Sequence, residues 1–195
     1  EKSYNLNENY DSNIYRSVGD MNILAMICDS TNSQVIGRTP SESFAYQGLY
    51  KAINESKKLV LITCFSSNIS RIKSILDIAK RTDRSIFVIG RALLRAIDAA
   101  QEVGYLKDLP EFINIKDVGL IPRSNMLIIA TGSQGETNSA LSRISKGTDK
   151  YINLTEGDTV IFSSRQIPGN ENAISKVQTR FIDKNVIIIT DEDKD

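Results

Sequence analysis

The 195-residue chain contains no histidine. This removes the imidazole that a Ser-His-Asp or Cys-His nucleophile pair needs, together with the commonest zinc and iron ligand. Any hydrolytic metal chemistry has to be completed by groups outside this sequence. Cysteine is nearly as scarce: Cys28 and Cys64 each stand near the end of an apolar run, and no signal-peptide pattern precedes them. They read as reduced core thiols of a cytosolic protein rather than a disulfide framework. No apolar run approaches the roughly 20 residues of a membrane-spanning helix. Nor is there an excess of charge, with 24 basic and 24 acidic residues. No global basic field recruits nucleic acid, although a local basic groove remains compatible with this balance. Both GxGxxG after a strand and GxxxxGKS/T are missing, so a dinucleotide or P-loop site has no support.

What is present is an ordinary globular composition, 41% hydrophobic and 25% charged, at a length that suits one sizeable domain burying roughly 70% of its unfolded surface. Residues 22–32 (NILAMICDSTN) form an apolar run that stops at Cys28, Asp29, Ser30, Thr31 and Asn32. This pattern predicts a buried strand delivering polar groups to its carboxyl end. Residues 1–20 show no helical or strand period and are expected to be a leader or connection, with 21–195 as the domain proper. Thr39, Pro40 and Glu42 are the N-cap, first-turn proline and capping-box acid of a helix reaching about residue 56.

Further apolar runs predict strands at 58–64 (KLVLITC), 85–89, 126–130 (MLIIA), 159–162 and 186–189. Between them, Ile69, Ile72, Ile75, Leu76 and Ala79 recur at helical spacing, as do Leu94, Ile97 and Ala100, then Ala140, Leu141 and Ile144, then Ile174, Val177, Phe181 and Ile182. Residues 105–125 are interrupted by Pro110, Gly119 and Pro122, leaving room for only a short strand or helix. The alternation predicts an α/β fold, a three-layer, mostly parallel sheet with helices on both faces.

Four strands end in small hydrogen-bonding residues: 29–32, Ser66-Ser67-Asn68, residues 131–136 (TGSQGE), and Ser163-Ser164-Arg165. In a parallel sheet these share one edge, and three lead into helices whose free N–H groups suit an anion, most naturally a phosphate. Each cluster is equally the composition of an ordinary N-cap or turn. Gly132 and Gly135 permit either a close ligand or a tight turn. Asp29 reads as a ligand-facing carboxylate or as the cap of its own turn. Arg38, Arg71, Arg91, Arg143 and Arg165 lie near strand ends or helix starts, where they would supply positive charge or simply be solvated.

Taken in order, CDSTN, TPSE, CFSSNISRI, GR, GYL, IIATGSQGE, SALSRIS, GDTVIFSS and IPGNE resemble the β-CASP domain of ribonuclease J, in the metallo-β-lactamase superfamily. The similarity extends from about Gly19 to Ile189. It implies a Rossmann-like β-CASP domain inserted in a metallo-β-lactamase domain, with RNA in the cleft between them. It also implies a metal-dependent 5′-3′ exo- and endoribonuclease of RNA processing and decay, cytoplasmic and bacterial. The resemblance makes Asp29 the acidic catalytic motif facing the metals. Ser67 and Asn68 would line the pocket for a 5′-monophosphate, and Ser133, Gln134, Gly135, Glu136, Ser163 and Ser164 would border the same cleft; Arg71, in the helix that follows, is expected to add its charge to RNA or phosphate binding. Zinc or manganese would be held by parent residues outside this chain, since the family's HxHxDH and HVSGH segments are absent here. The isolated chain is then expected to be inactive, and the parent to be a homodimer or homotetramer without membrane contact. A free-standing nucleotide-binding or regulatory α/β domain is the alternative.

Overall fold

The computed structural model describes residues 12–27, 30, 36–37 and 40–190. The chain divides into two units, Glu1–Ala45 and Tyr46–Asp195.

In the first unit the described residues include one helix, α1 (Ser12–Gly19). This corrects the reading of 1–20 as aperiodic: Ile14, Tyr15 and Val18 share a helical face, too short a stripe to stand out in the sequence. The strand expected at 22–28 is also corrected. Residues 22–27 are not in a strand, and Ile23, Leu24, Met26 and Ile27 are exposed. An apolar run becomes a strand only where a partner strand takes its N–H and C=O groups, and the five strands of the sheet pair without it.

The second unit is a three-layer α/β/α arrangement. Strands β1 (Val60–Thr63), β2 (Ser85–Ile89), β3 (Met126–Ala130), β4 (Thr159–Phe162) and β5 (Ile187–Ile189) form one sheet in the order β2-β3-β1-β4-β5, every pair parallel. Helices α2 (Glu42–Glu55), α3 (Ile69–Arg81), α4 (Arg91–Glu102), α5 (Ala140–Lys146) and α6 (Glu171–Ile182) account for the helical periods of the sequence. The helix expected from Thr39-Pro40 begins at Glu42; Ser41 Oγ accepts from Phe44 N at 3.4 Å, while Thr39 lies outside the described residues. Residues 105–125 hold two 3-10 turns, Ile115–Leu120 and Arg123–Asn125, and Phe112 bridges to Ile86.

The side-chain alternation of the strands divides the core in two. Val60, Ile62, Ile86, Leu127, Ile129 and Ile161 face α2, α3 and α4. Leu61, Phe87, Ile128, Ala130, Val160 and Phe162 face α5 and α6. Each fully buried Ile, Leu or Phe contributes about 2 kcal/mol of hydrophobic stabilisation, so the two-sided burial explains why these strands read as continuous apolar runs. Among the described residues no helix is long and apolar enough to cross a membrane.

At the amino edge two arginines do structural work that sequence reading missed. Arg84 donates from Nη1 to the carbonyls of Lys58 (2.9 Å) and Met126 (3.1 Å), and from Nη2 to those of Ile53 (3.3 Å) and Ser56 (2.6 Å). It thus ties the carboxyl end of α2 to the starts of β1 and β3, where a cation also meets the negative end of the helix dipole. Burial pushes its pKa below the usual guanidinium value. Arg123 pairs with the fully buried Asp158, which also accepts from Thr155 N at 2.7 Å.

Candidate functional site

The register sets the last residues of the central strands level. Thr63 lies opposite both Ala130 and Phe162, and Ile89 lies opposite Ala130. The segments that follow therefore line one edge, with neighbouring strands about 4.8 Å apart. After β1 the chain turns to the α3 face, and after the adjacent β4 it turns to the α6 face. Such a divergence opens a crevice at the carboxyl edge of a parallel sheet, the usual ligand position in open α/β folds.

Arg71 in the first turn of α3 spans this divergence. Its Nη1 donates to Ser163 Oγ at 2.6 Å and to Ser163 O at 3.1 Å. Both acceptors are neutral. Asn68 is the N-cap of α3, its Oδ1 accepting from Arg71 N at 3.0 Å. Ser67 is exposed beside it, and Asn68 and Arg71 are partly buried. Ser67, Asn68, Arg71 and Ser163 are thus brought together, with the amino end of α3 facing the same crevice.

The TGSQGE segment is built largely for its own fold. Gln134 is 6% exposed. Its Nε2 donates to Arg165 O at 3.0 Å, and its Oε1 accepts from Ile167 N at 2.9 Å and Asn170 Nδ2 at 3.2 Å. This amide clips the segment after β3 to the segment after β4. Glu136 Oε2 accepts from Gln134 N at 3.1 Å, closing the turn. Gly135, at φ +74°, packs so closely on α6 that a Cβ there would stand 2.7 Å from Ala173 O. A Cβ on Gly132, at φ +124°, would stand 2.7 Å from Leu141 Cβ. Gly135 N also donates to Gly132 O at 3.1 Å, so of the two uses open to these glycines the structure shows the tight turn, with a close approach to the protein's own atoms at each.

Ser133 and Ser164 instead line a cavity of about 220 Å³ with Phe162, Gln166, Ile174, Gln178 and Thr190. Gln166 and Gln178 were not singled out by sequence; the only available signal was the four-residue step from Ile174 to Gln178 on one helix face. Arg143, placed by sequence near the edge, is engaged by Asp149 at 3.3 Å and by Asn138 O at 3.1 Å. Arg91 and Arg165 are exposed. Asp29 and Arg38 lie outside the described residues.

The described side chains do not by themselves group into a metal site, and Cys28 and Asp29 lie outside the described residues. The chain has no histidine, and among the described residues no three His, Cys, Asp or Glu side chains are grouped so as to hold an ion. No chemical step through a metal is assigned to them.

Comparison with known proteins adds the following. Residues 57–181 match the family model described as ribonuclease J, beta-CASP domain. The ribonuclease J of Sinorhizobium meliloti is 38% identical over 183 residues, covering 94% of this chain and 32% of the relative. That of Mycolicibacterium smegmatis is 40% identical over 158 residues, 80% of this chain and 28% of the relative. That of Helicobacter pylori strain J99 is 36% identical over 189 residues, 95% and 27% respectively. The chain spans about a third or less of these relatives.

Proposed function

Because the chain belongs to the ribonuclease J β-CASP domain family, we propose that it is the RNA-positioning part of a ribonuclease J-like phosphodiester hydrolase. The crevice between the ends of β1 and β4 is the RNA contact in this reading. The observation that carries it is the meeting of Ser67, Asn68, Arg71 and Ser163 there: an arginine, hydroxyls and a helix amino end together make an anion seat. We place a 5′-monophosphate in that seat, with Ser133 and Ser164 toward the following nucleotide. Gln134, Gly135 and Glu136 hold the walls in place.

Asp29 contributes a carboxylate to a metal site, zinc or manganese, completed by parent residues beyond these 195. Residues 21–195 form the β-CASP portion, and 1–20 connect it to a metallo-β-lactamase domain of the same polypeptide. The parent acts as a homodimer or homotetramer in bacterial cytoplasm, as a 5′-3′ exo- and endoribonuclease in rRNA processing and mRNA decay. The chain alone binds RNA without cleaving it.

Fluorescence anisotropy with short 5′-monophosphorylated and 5′-hydroxyl RNAs tests the reading. The chain should prefer the phosphorylated end, and Arg71→Ala should weaken that binding about tenfold, the loss of one charge-assisted contact. Equal affinity for both ends would refute the phosphate seat. Robust cleavage by the chain with Mn²⁺ or Zn²⁺ would refute its dependence on the rest of the parent. In the full-length parent, Asp29→Ala should abolish turnover and leave the fold intact.

A further inference from the structure

The cavity beside the crevice differs from it in chemistry. Its lining contains no charged side chain: Ser133, Ser164, Gln166, Gln178 and Thr190 provide hydroxyls and amides, and Phe162 and Ile174 provide an apolar wall. The Ser133 hydroxyl and the Gln166 and Gln178 amides have no hydrogen-bond partner among the described residues. Ser133, only 3% exposed, adds its hydroxyl to the same lining. The walls are preformed, because Gln134 holds the segments after β3 and β4 together through the Arg165, Ile167 and Asn170 bonds. A neutral seat does not compensate a phosphate, whose charge needs cations or several N–H groups. At about 220 Å³ it is also smaller than the usual 300–1,000 Å³ of a drug-sized ligand site.

Resting on the RNA reading above, we propose that this cavity takes one unpaired nucleobase of the bound strand, with Gln178 as the residue that reads its edge. Side-chain amides present a donor and an acceptor side by side, the pattern that pairs with base edges. Proteins that read RNA by sequence do so on splayed, unstacked bases whose Watson–Crick and Hoogsteen edges are free. Gln178 stands one turn after Ile174 on α6, so the amide lies above the apolar wall against which the flat face of a base would rest. The phosphate seat then supplies affinity for any strand end, and the cavity supplies discrimination among bases.

The test uses the 195-residue chain with adenosine, guanosine, cytidine and uridine, which carry no phosphate, and separately with a 5′-monophosphorylated trinucleotide. Saturation-transfer NMR and calorimetry should detect at least one nucleoside. Gln178→Leu, which keeps the volume and deletes the amide, should weaken it about tenfold, with the unfolding midpoint unchanged. Ser67→Ala should weaken the trinucleotide and leave the nucleoside unaffected. Failure of all four nucleosides to bind while the trinucleotide binds would overturn the base seat and leave the RNA reading standing. Failure of both would overturn the two together. Nucleoside binding indifferent to Gln178→Leu would also overturn the assignment.

Discussion

Gln134 is the position at which a structural and a ligand-binding role predict different measurements. Replacing it with Leu retains the bulk and removes three hydrogen bonds, to Arg165 O, Ile167 N and Asn170 Nδ2, together with a long one to Ser164 Oγ at 3.5 Å. At about 1 kcal/mol net per bond the loss is about 3 kcal/mol. Ile167 is 47% exposed, and water reaching that segment recovers part of it, leaving about 2 kcal/mol. With a urea m value of about 2 kcal/mol/M, the unfolding midpoint of the chain should fall by about 1 M with m unchanged. Gln134→Glu should fall between Leu and wild type, since it keeps the acceptor for Ile167 N but loses the donor to Arg165 O. The assay is urea unfolding followed by circular dichroism, with RNA binding measured below the transition. An unchanged midpoint together with lost RNA binding would refute the reasoning, and would mean that the amide is spent on ligand rather than on the loops.

Gly135→Ala combines a left-handed backbone with a Cβ 2.7 Å from Ala173 O; strain and overpacking together should cost about 3 kcal/mol, read as a fall of about 9 °C in Tm. Arg84→Met leaves four carbonyls without their donor and should cost about 3 kcal/mol in the same urea assay, with RNA binding intact at low urea. The Glu171 carboxylate is held below the usual range by the backbone N–H groups of Glu171 and Gly169. A lowered folded pKa stabilises above the unfolded value of about 4.3 and is lost as pH falls through the lower folded value. The difference in urea midpoint between wild type and Glu171→Gln should accordingly be constant near neutral pH and shrink below about pH 4.

The central strands β1, β3 and β4 were legible in the sequence because a strand buried on both faces must be apolar throughout; β2 and β5, at the sheet's edges, were legible from their short apolar runs although they are less buried. The helices were legible for the same reason at a different period, and the start of α3 at the Ser66-Ser67-Asn68 turn followed from its place before Ile69, Ile72 and Ile75; that Asn68 is the cap was decided by the structure. The run at 22–27 has the same composition as β1 and is not a strand, since apolarity expresses a need for burial and does not name the partner. In the candidate site, sequence brought Ser67, Asn68, Arg71 and Ser163 to one edge but did not separate residues facing a guest from those facing each other. Gln134, Gly135 and Glu136 prove to be engaged within the protein. Gln166 and Gln178 gave no signal, because a half-exposed amide on a helix or loop is ordinary surface until a cavity stands beside it.

The sequence by itself determined the strands and helices of the second unit, the family, and the exclusion of any chemistry that needs histidine from this chain. Each of these rests on residues within reach of one another along the chain or on the bare inventory of side chains. Only the tertiary structure decided the strand order β2-β3-β1-β4-β5, and with it which strand ends become neighbours. Val60 pairs with Thr159 nearly a hundred positions away on one side and with Leu127 on the other, and these pairings together carry Ser163 to Arg71 and Ser164 to Gln134. Such pairings depend on how whole apolar faces fill one another, a property of the packed sheet that no local pattern encodes.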